Sequence, residues 1–182
     1  MNKYVLVVSG VIITTALTRL IPHPLNFAPI GAISLFGAAY LTNKKFAFFV
    51  PIVAMFISDL LVNNIIYYSY YGSFTLFTPG FIWVYGSIAC IVILGMIILK
   101  KFTLTRIVSS SLLASLSFFF ISNFGVWLSD PDYPINSAGL LLCYEMALPF
   151  FKNTIFGDLF YTAIMFGGFE FALKKAPILH KA

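Results

Sequence analysis

Six apolar runs of near-spanning length, separated by short polar breaks, dictate what this chain can become. They fall at about residues 4–21, 27–41, 46–62, 81–99, 107–128 and 154–173. A helix needs about 20 apolar residues to cross a hydrocarbon core of roughly 30 Å. Inside that core each backbone N–H and C=O has to be paired within the protein. A water-facing surface cannot be built from this material. Of 182 residues 60% are hydrophobic and 9% charged, and mean hydropathy is +0.97, against about 25% charged in a soluble domain. The expectation is an all-α integral membrane protein, a six-transmembrane-helix bundle forming one domain over residues 1–182. The first run follows Lys3 as a secretory signal would, but no small-residue cleavage site follows, so it reads as a retained span.

The basic residues test the count of spans. With an even number, Lys3, Lys44, Lys45, Lys100, Lys101, Arg106, Lys174, Lys175 and Lys181 fall on one side, and only Arg19 and Lys152 on the other. The positive-inside rule then puts both termini in the cytoplasm, with the protein multi-pass in a bacterial cytoplasmic (inner) membrane. The net charge of +5 therefore marks membrane edges and is no sign of nucleic-acid binding. The cytoplasmic connections are minimal, whereas the outer ones are elaborated. They comprise the Pro22–Asn26 turn, a tyrosine-rich segment over 63–80, and residues 129–153. The last includes GLLLCYEMALPFF, an amphipathic stretch expected to lie along the interface as a short helix before the final span. A bare inner face and a rich outer one suggest a ligand met outside.

Small residues recur at spacing four: Gly10, Thr14 and Thr18, then Ala28 and Ala32, then Ser111 and Ser115. Such positions allow close helix approach, and packing within the bundle is the plainer reading beside a partner-docking face. Cys90 and Cys143 are too few for a disulfide framework.

Ionisable groups near a bilayer are expensive and count as site candidates. Arg19 and Asp59 end the first and third runs at the same outer depth, within reach of each other, as a structural ion pair or as ligand-binding groups. His23 sits in a turn stiffened by Pro22 and Pro24, more in keeping with a hydrogen-bonded cap than a metal ligand. His180 is far away in the tail. Asn26 with Phe27, and Asn153 with Thr154, are read as opening the second and sixth spans, where exposed backbone N–H groups favour anions. Asp158, one turn further in, is read as a pocket wall or as a partner of Lys152 or Arg19. Glu170 lies four residues before Lys174, as in a surface helix pair. Tyr67, Tyr68, Tyr70 and Tyr71 form either an interfacial belt or a stacking lid; Trp83 and Trp127 read as belt. No HExxH, Walker-type loop, CxxC or GxSxG occurs, so neither metal nor cofactor is expected, and no enzyme.

The runs RLIPHPLNFAPIGAISLFGAAYL, PIVAMFISDLL and PFFKNTIFGDLFYTAIMFGG resemble small six-span bacterial membrane proteins assigned to transport. Through them the chain is similar to the substrate-binding S components of energy-coupling-factor (ECF) vitamin transporters, including the solitary cobalamin-uptake type. That resemblance implies a six-helix bundle binding a vitamin-like micronutrient in an outer pocket, energised by a transmembrane coupling subunit with ATPases. It marks Arg19, His23, Asn26, Asp59, Asn153 and Asp158. The cobalt-liganding cysteine of some cobalamin-binding members has no counterpart in 63–80. The expected function is a membrane substrate-binding subunit for uptake, with Arg19, His23 and Asn26 lining the pocket, Asp59, Asn153 and Asp158 beside them, and Tyr67 and Tyr71 closing over it. The rivals are an accessory subunit without small ligand, and a small membrane enzyme acting on a lipid through His23.

Overall fold

The computed structural model describes residues 3–175; His180 and Lys181 lie outside them. These residues are all-helical, with no strand among them. Helix α1 covers Lys3–Leu17 and tightens into a 3₁₀ turn over Thr18–Leu20. Then follow α2 (Ile30–Tyr40), α3 (Lys44–Leu61) with a π-helical turn over Val62–Ile66, the short α4 (Tyr68–Tyr71), α5 (Phe81–Ile98), α6 (Leu104–Ser129) and α7 (Ser137–Lys175). Five stretches, 3–20, 44–66, 81–98, 104–129 and 137–175, are long and apolar enough to cross a membrane. In α1 the buried stripe Tyr4, Val8, Ile12 and Ala16 packs inward, while Leu6 and Val7 point out. Side-chain caps start two of the helices: Asn43 accepts from the Lys45 N–H at 2.9 Å, and Thr103 from the Arg106 N–H at 3.3 Å.

Helix α2 is the hub. Residues Gly31 through Gly37 and Tyr40 are buried, and α1, α3, α5, α6 and α7 all pack around it. Glycines bring its neighbours close. A Cβ on Gly37 would lie 2.8 Å from Cγ of Pro51 in α3, and one on Gly95 of α5 would lie 2.7 Å from the Ala38 Cβ. The helix has 11 residues, about 16 Å of rise and half the hydrocarbon thickness. The run expected from residue 27 is thus shortened at its start. Pro29 occupies the N-cap position and biases Ala28 away from helical backbone, so Phe27 and Ala28 stay in the turn.

The segment before the last span departs further from expectation. No separate interfacial helix forms, and α7 is one helix of 39 residues, about 58 Å long. It runs antiparallel to α6 along their common length. Thr162 meets Ser111, Asp158 meets Ser115, and the Phe151 and Phe119 rings lie 4.5 Å apart. Further out, Tyr144 Oη donates to the Phe120 carbonyl at 2.7 Å and Cys143 Sγ approaches the Asn123 carbonyl at 3.4 Å. Those contacts hold the amphipathic stretch against α6, so it does not lie flat, and Pro149 is accommodated within the helix.

At the end where α1 begins, Tyr40 stacks on Phe102 at 5.3 Å and donates from its hydroxyl to Glu170 at 2.6 Å. Glu170 is therefore tied across the bundle and forms no ion pair with Lys174. Of the small-residue stripes, Ser111 and Ser115 are buried against α7, but Gly10 and Thr14 are exposed. Trp83, read as belt, sits between helices, its ring against Gly125 and edge-on to Phe124 at 5.4 Å.

Candidate functional site

Because α1 and α3 run in the same direction from the lysine-bearing end, their far ends bring Arg19 and Asp59 together. Arg19 Nη1 lies 2.6 Å from Asp59 Oδ1, with side chains 17% and 20% exposed. The same nitrogen donates to Ser58 Oγ at 3.1 Å, and Ser58 donates onward to the Ala16 carbonyl at 3.0 Å. Tyr85 Oη donates to the second Asp59 oxygen at 2.8 Å. Both oxygens of Asp59 are thus engaged, whereas Arg19 Nε and Nη2 make no hydrogen bond among the described residues.

This network forms one wall of a cavity of about 700 Å³, inside the usual size range of small-molecule sites. Arg19, His23, Asn26, Asp59, Tyr67, Tyr71 and Asp158 all line it. Asn153 does not. It lies inside α7, with no helix N-terminus to offer, and its Nδ2 donates to the Leu25 carbonyl at 2.9 Å, pinning the Pro22–Asn26 turn to that helix. Asn26 likewise opens no helix. It turns the chain at φ +63°, a left-handed conformation asparagine tolerates better than most residues.

Asp158 stands in the cavity wall, as one of its two readings had it, but pairs with neither Arg19 nor Lys152. It is 1% exposed, and its Oδ1 accepts from the Gly31 N–H at 2.9 Å while Oδ2 accepts from Ser115 Oγ at 2.7 Å. It therefore caps the N-terminus of α2 from another helix, where the orphan N–H groups and the positive end of the dipole favour a carboxylate. The chain itself occupies the anion position that a ligand would otherwise take. Gly31 is required there, because a Cβ would stand 2.6 Å from the carboxylate atoms.

His23 is exposed, with Nδ1 2.9 Å from the Pro24 carbonyl, and no carboxylate contacts it. Among the described residues no cluster of His, Cys, Asp and Glu is suited to a metal. The tyrosines divide: Tyr67 and Tyr71 face the cavity, while Tyr68 and Tyr70 are 55% and 80% exposed and stand off it. Burial, together with the nearby Tyr70, Tyr67 and Asp59, raises the Tyr71 phenol above its ordinary pKa. One side chain clasps this loop. Asn64 Nδ2 donates to the Thr75 carbonyl at 2.9 Å, and its Oδ1 accepts from the Thr75 N–H at 2.8 Å.

Sequence reasoning passed over Asn63, Ser58 and Tyr85. Asn63 is 6% exposed, lines the cavity and makes no side-chain hydrogen bond among the described residues. The adjacent asparagines were visible, but the π-helical turn that aims Asn63 inward and leaves Asn64 for the loop has no sequence signature. A second, apolar cavity of about 480 Å³ lies between α1 and α7, walled by Thr15, Thr18, Phe160 and Tyr161 and by the Ile21–Pro24 turn. The chain matches a family of unknown function, DUF6580, over residues 1–179, and belongs to that family. No curated protein and no solved structure matches it.

Proposed function

We propose that this protein is a membrane-embedded substrate-binding subunit for uptake of a small vitamin-like micronutrient, held in the cavity beside Arg19. The observation that carries this reading is the 700 Å³ cavity, whose wall includes polar side chains with no partner of their own, Asn26, Asn63, Tyr67 and Tyr71. Of these, Asn63 is 6% exposed, so its unpaired amide is the one an architectural role explains least. In this reading the five long helices cross the membrane and α2 makes a sixth crossing, supplying its inner half while the Leu20–Pro29 segment supplies the outer half. Both termini face the cytoplasm of a bacterial inner membrane. Supporting this orientation, Lys3, Lys44, Lys45, Lys100, Lys101, Arg106, Lys174 and Lys175 mark helix ends opposite the cavity. Energy comes from a transmembrane coupling subunit with ATPases, as in the transporters the sequence resembles.

One observation favours the accessory-subunit reading: Asp59 is wholly engaged by Arg19 and Tyr85, as an architectural brace would be. The lipid-enzyme reading loses support, since His23 has no carboxylate to orient it as a base. Native mass spectrometry of the purified protein against a vitamin and cofactor panel separates the first two. A stoichiometric adduct, weakened at least tenfold in Asn63→Ala and in Asn26→Gly, is expected. The glycine keeps the left-handed backbone at position 26 and removes only the amide. Folded protein that binds nothing in the panel would sink the proposal.

A further inference from the structure

We infer that the ligand is a planar ring compound carrying a single carboxylate, taken by the outward edge of the Arg19 guanidinium. The inference rests on the reading of the cavity as a ligand site.

The charged groups of the cavity are unequal in what they still offer. Asp59 has both oxygens engaged, by Arg19 and by Tyr85. Asp158 has both engaged, by Gly31 and by Ser115. Neither carboxylate has an oxygen without a partner, and the Arg19 guanidinium beside Asp59 would oppose a cationic ligand. Arg19 is different. Its Nη1 carries the contacts to Asp59, Ser58 and Met55, which leaves the N–H donors of Nε and Nη2 without a partner in a side chain only 17% exposed. Those two nitrogens lie along one edge of a planar group whose spacing matches two carboxylate oxygens.

Asn63 supplies the second, independent indication. It is 6% exposed, and among the described residues no fully enclosed polar side-chain atom lacks a partner. What remains accessible of its unpaired amide therefore opens on the cavity. It offers a donor and an acceptor to a heteroatom of the ring.

The rest of the wall fixes the body of the ligand and its charge. Tyr67, Tyr71, Phe81, Tyr85 and Phe118 line the cavity, and aromatic faces of this kind favour a flat partner. The charge follows from the neighbours. Arg19 already neutralises Asp59, so the ligand shares that one cation with a fixed carboxylate close by. A monoanion is tolerated there, whereas a phosphate dianion meets twice the repulsion. The helix N-terminus that would have stabilised a phosphate is occupied by Asp158.

The test uses the full chain in detergent, with isothermal titration against ring monocarboxylates, the carboxamide of each, and a phosphate monoester of comparable size. Wild type is expected to bind at least one carboxylate at least tenfold more tightly than its carboxamide, and to prefer it to the phosphate. Arg19→Lys retains a cation for Asp59 but loses the two-pronged edge, and is expected to reduce that preference at least tenfold. The carboxylate–carboxamide comparison on wild type stands even if the lysine variant fails to fold. Equal binding of the carboxamide, preference for the phosphate, or an unchanged preference in Arg19→Lys would overturn the inference and leave the cavity a ligand site. A panel member of neutral or cationic character binding where every carboxylate fails does the same. Failure of every compound here and in the vitamin and cofactor panel removes both readings.

Discussion

Replacing Asp158 with alanine takes the acceptor away from the start of the most enclosed helix in the protein. In the native structure that carboxylate accepts from the Gly31 N–H at 2.9 Å and from Ser115 at 2.7 Å, and the Ala32 N–H also points to it. Ser115 can fall back on the Ser111 carbonyl at 3.2 Å. The two backbone donors have no such fallback among the described residues, and the site is 1% exposed. At about 1–3 kcal/mol for each buried donor left unsatisfied, the loss is about 4 kcal/mol. For a chain of this size that corresponds to a fall in Tm of about 8–16 °C. Asp158→Asn keeps one acceptor oxygen on those N–H groups, and its expected loss is about 1 kcal/mol, or about 2–4 °C. Gly31→Ala provides the cross-check. Its Cβ would stand 2.6 Å from the carboxylate, an overpacking cost of about 1–3 kcal/mol, and most of that cost should vanish once Asp158 is alanine. The double variant should therefore be more stable than the two single losses summed. Scanning fluorimetry and helical circular dichroism of the detergent-purified proteins measure all four. An alanine variant within about 1 kcal/mol of wild type, or an asparagine as damaging as alanine, would refute the cap. Strict additivity of the pair would refute the contact with Gly31.

Three further outcomes are expected. Gly125→Ala drives a Cβ into the Trp83 ring, so it should cost about 1–3 kcal/mol and shift tryptophan emission as Trp83 moves; unchanged emission with unchanged stability would contradict the packing. Tyr40→Phe removes the hydroxyl that reaches Glu170 at 2.6 Å and should cost about 1.5–3 kcal/mol, the range for a hydrogen bond to a charged group, read in the same thermal assay. Asn64→Ala breaks both bonds to Thr75 and should speed proteolysis within residues 65–80 several-fold while leaving helix content unchanged. Equal cleavage rates would show that the clasp does not hold the loop.

Much of this architecture is written in local composition, and some of it is not. Apolar run length gives the long helices, because hydrocarbon demands it residue by residue. The matching depth of Arg19 and Asp59 follows from where their runs end. The true start of α2 was also within reach, since Pro29 marks it, yet apolar character alone drew the run back to Phe27. The continuity of α7 was not legible. Its amphipathic beginning suits an interface equally well, and only contacts with Phe119, Phe120 and Asn123 of α6 decide against that. Asp158 as the cap of a distant helix, and Asn63 turned inward by a π-helical turn, depend on tertiary placement that no spacing encodes.

The enclosure of α2 also bears on how the protein comes into being in the membrane. A segment of 11 helical residues is too short to be retained firmly in a bilayer by its own hydrophobicity. Its first N–H groups wait for a carboxylate 127 residues further along the chain. The start of α2 is therefore complete only once α7 is in place beside it.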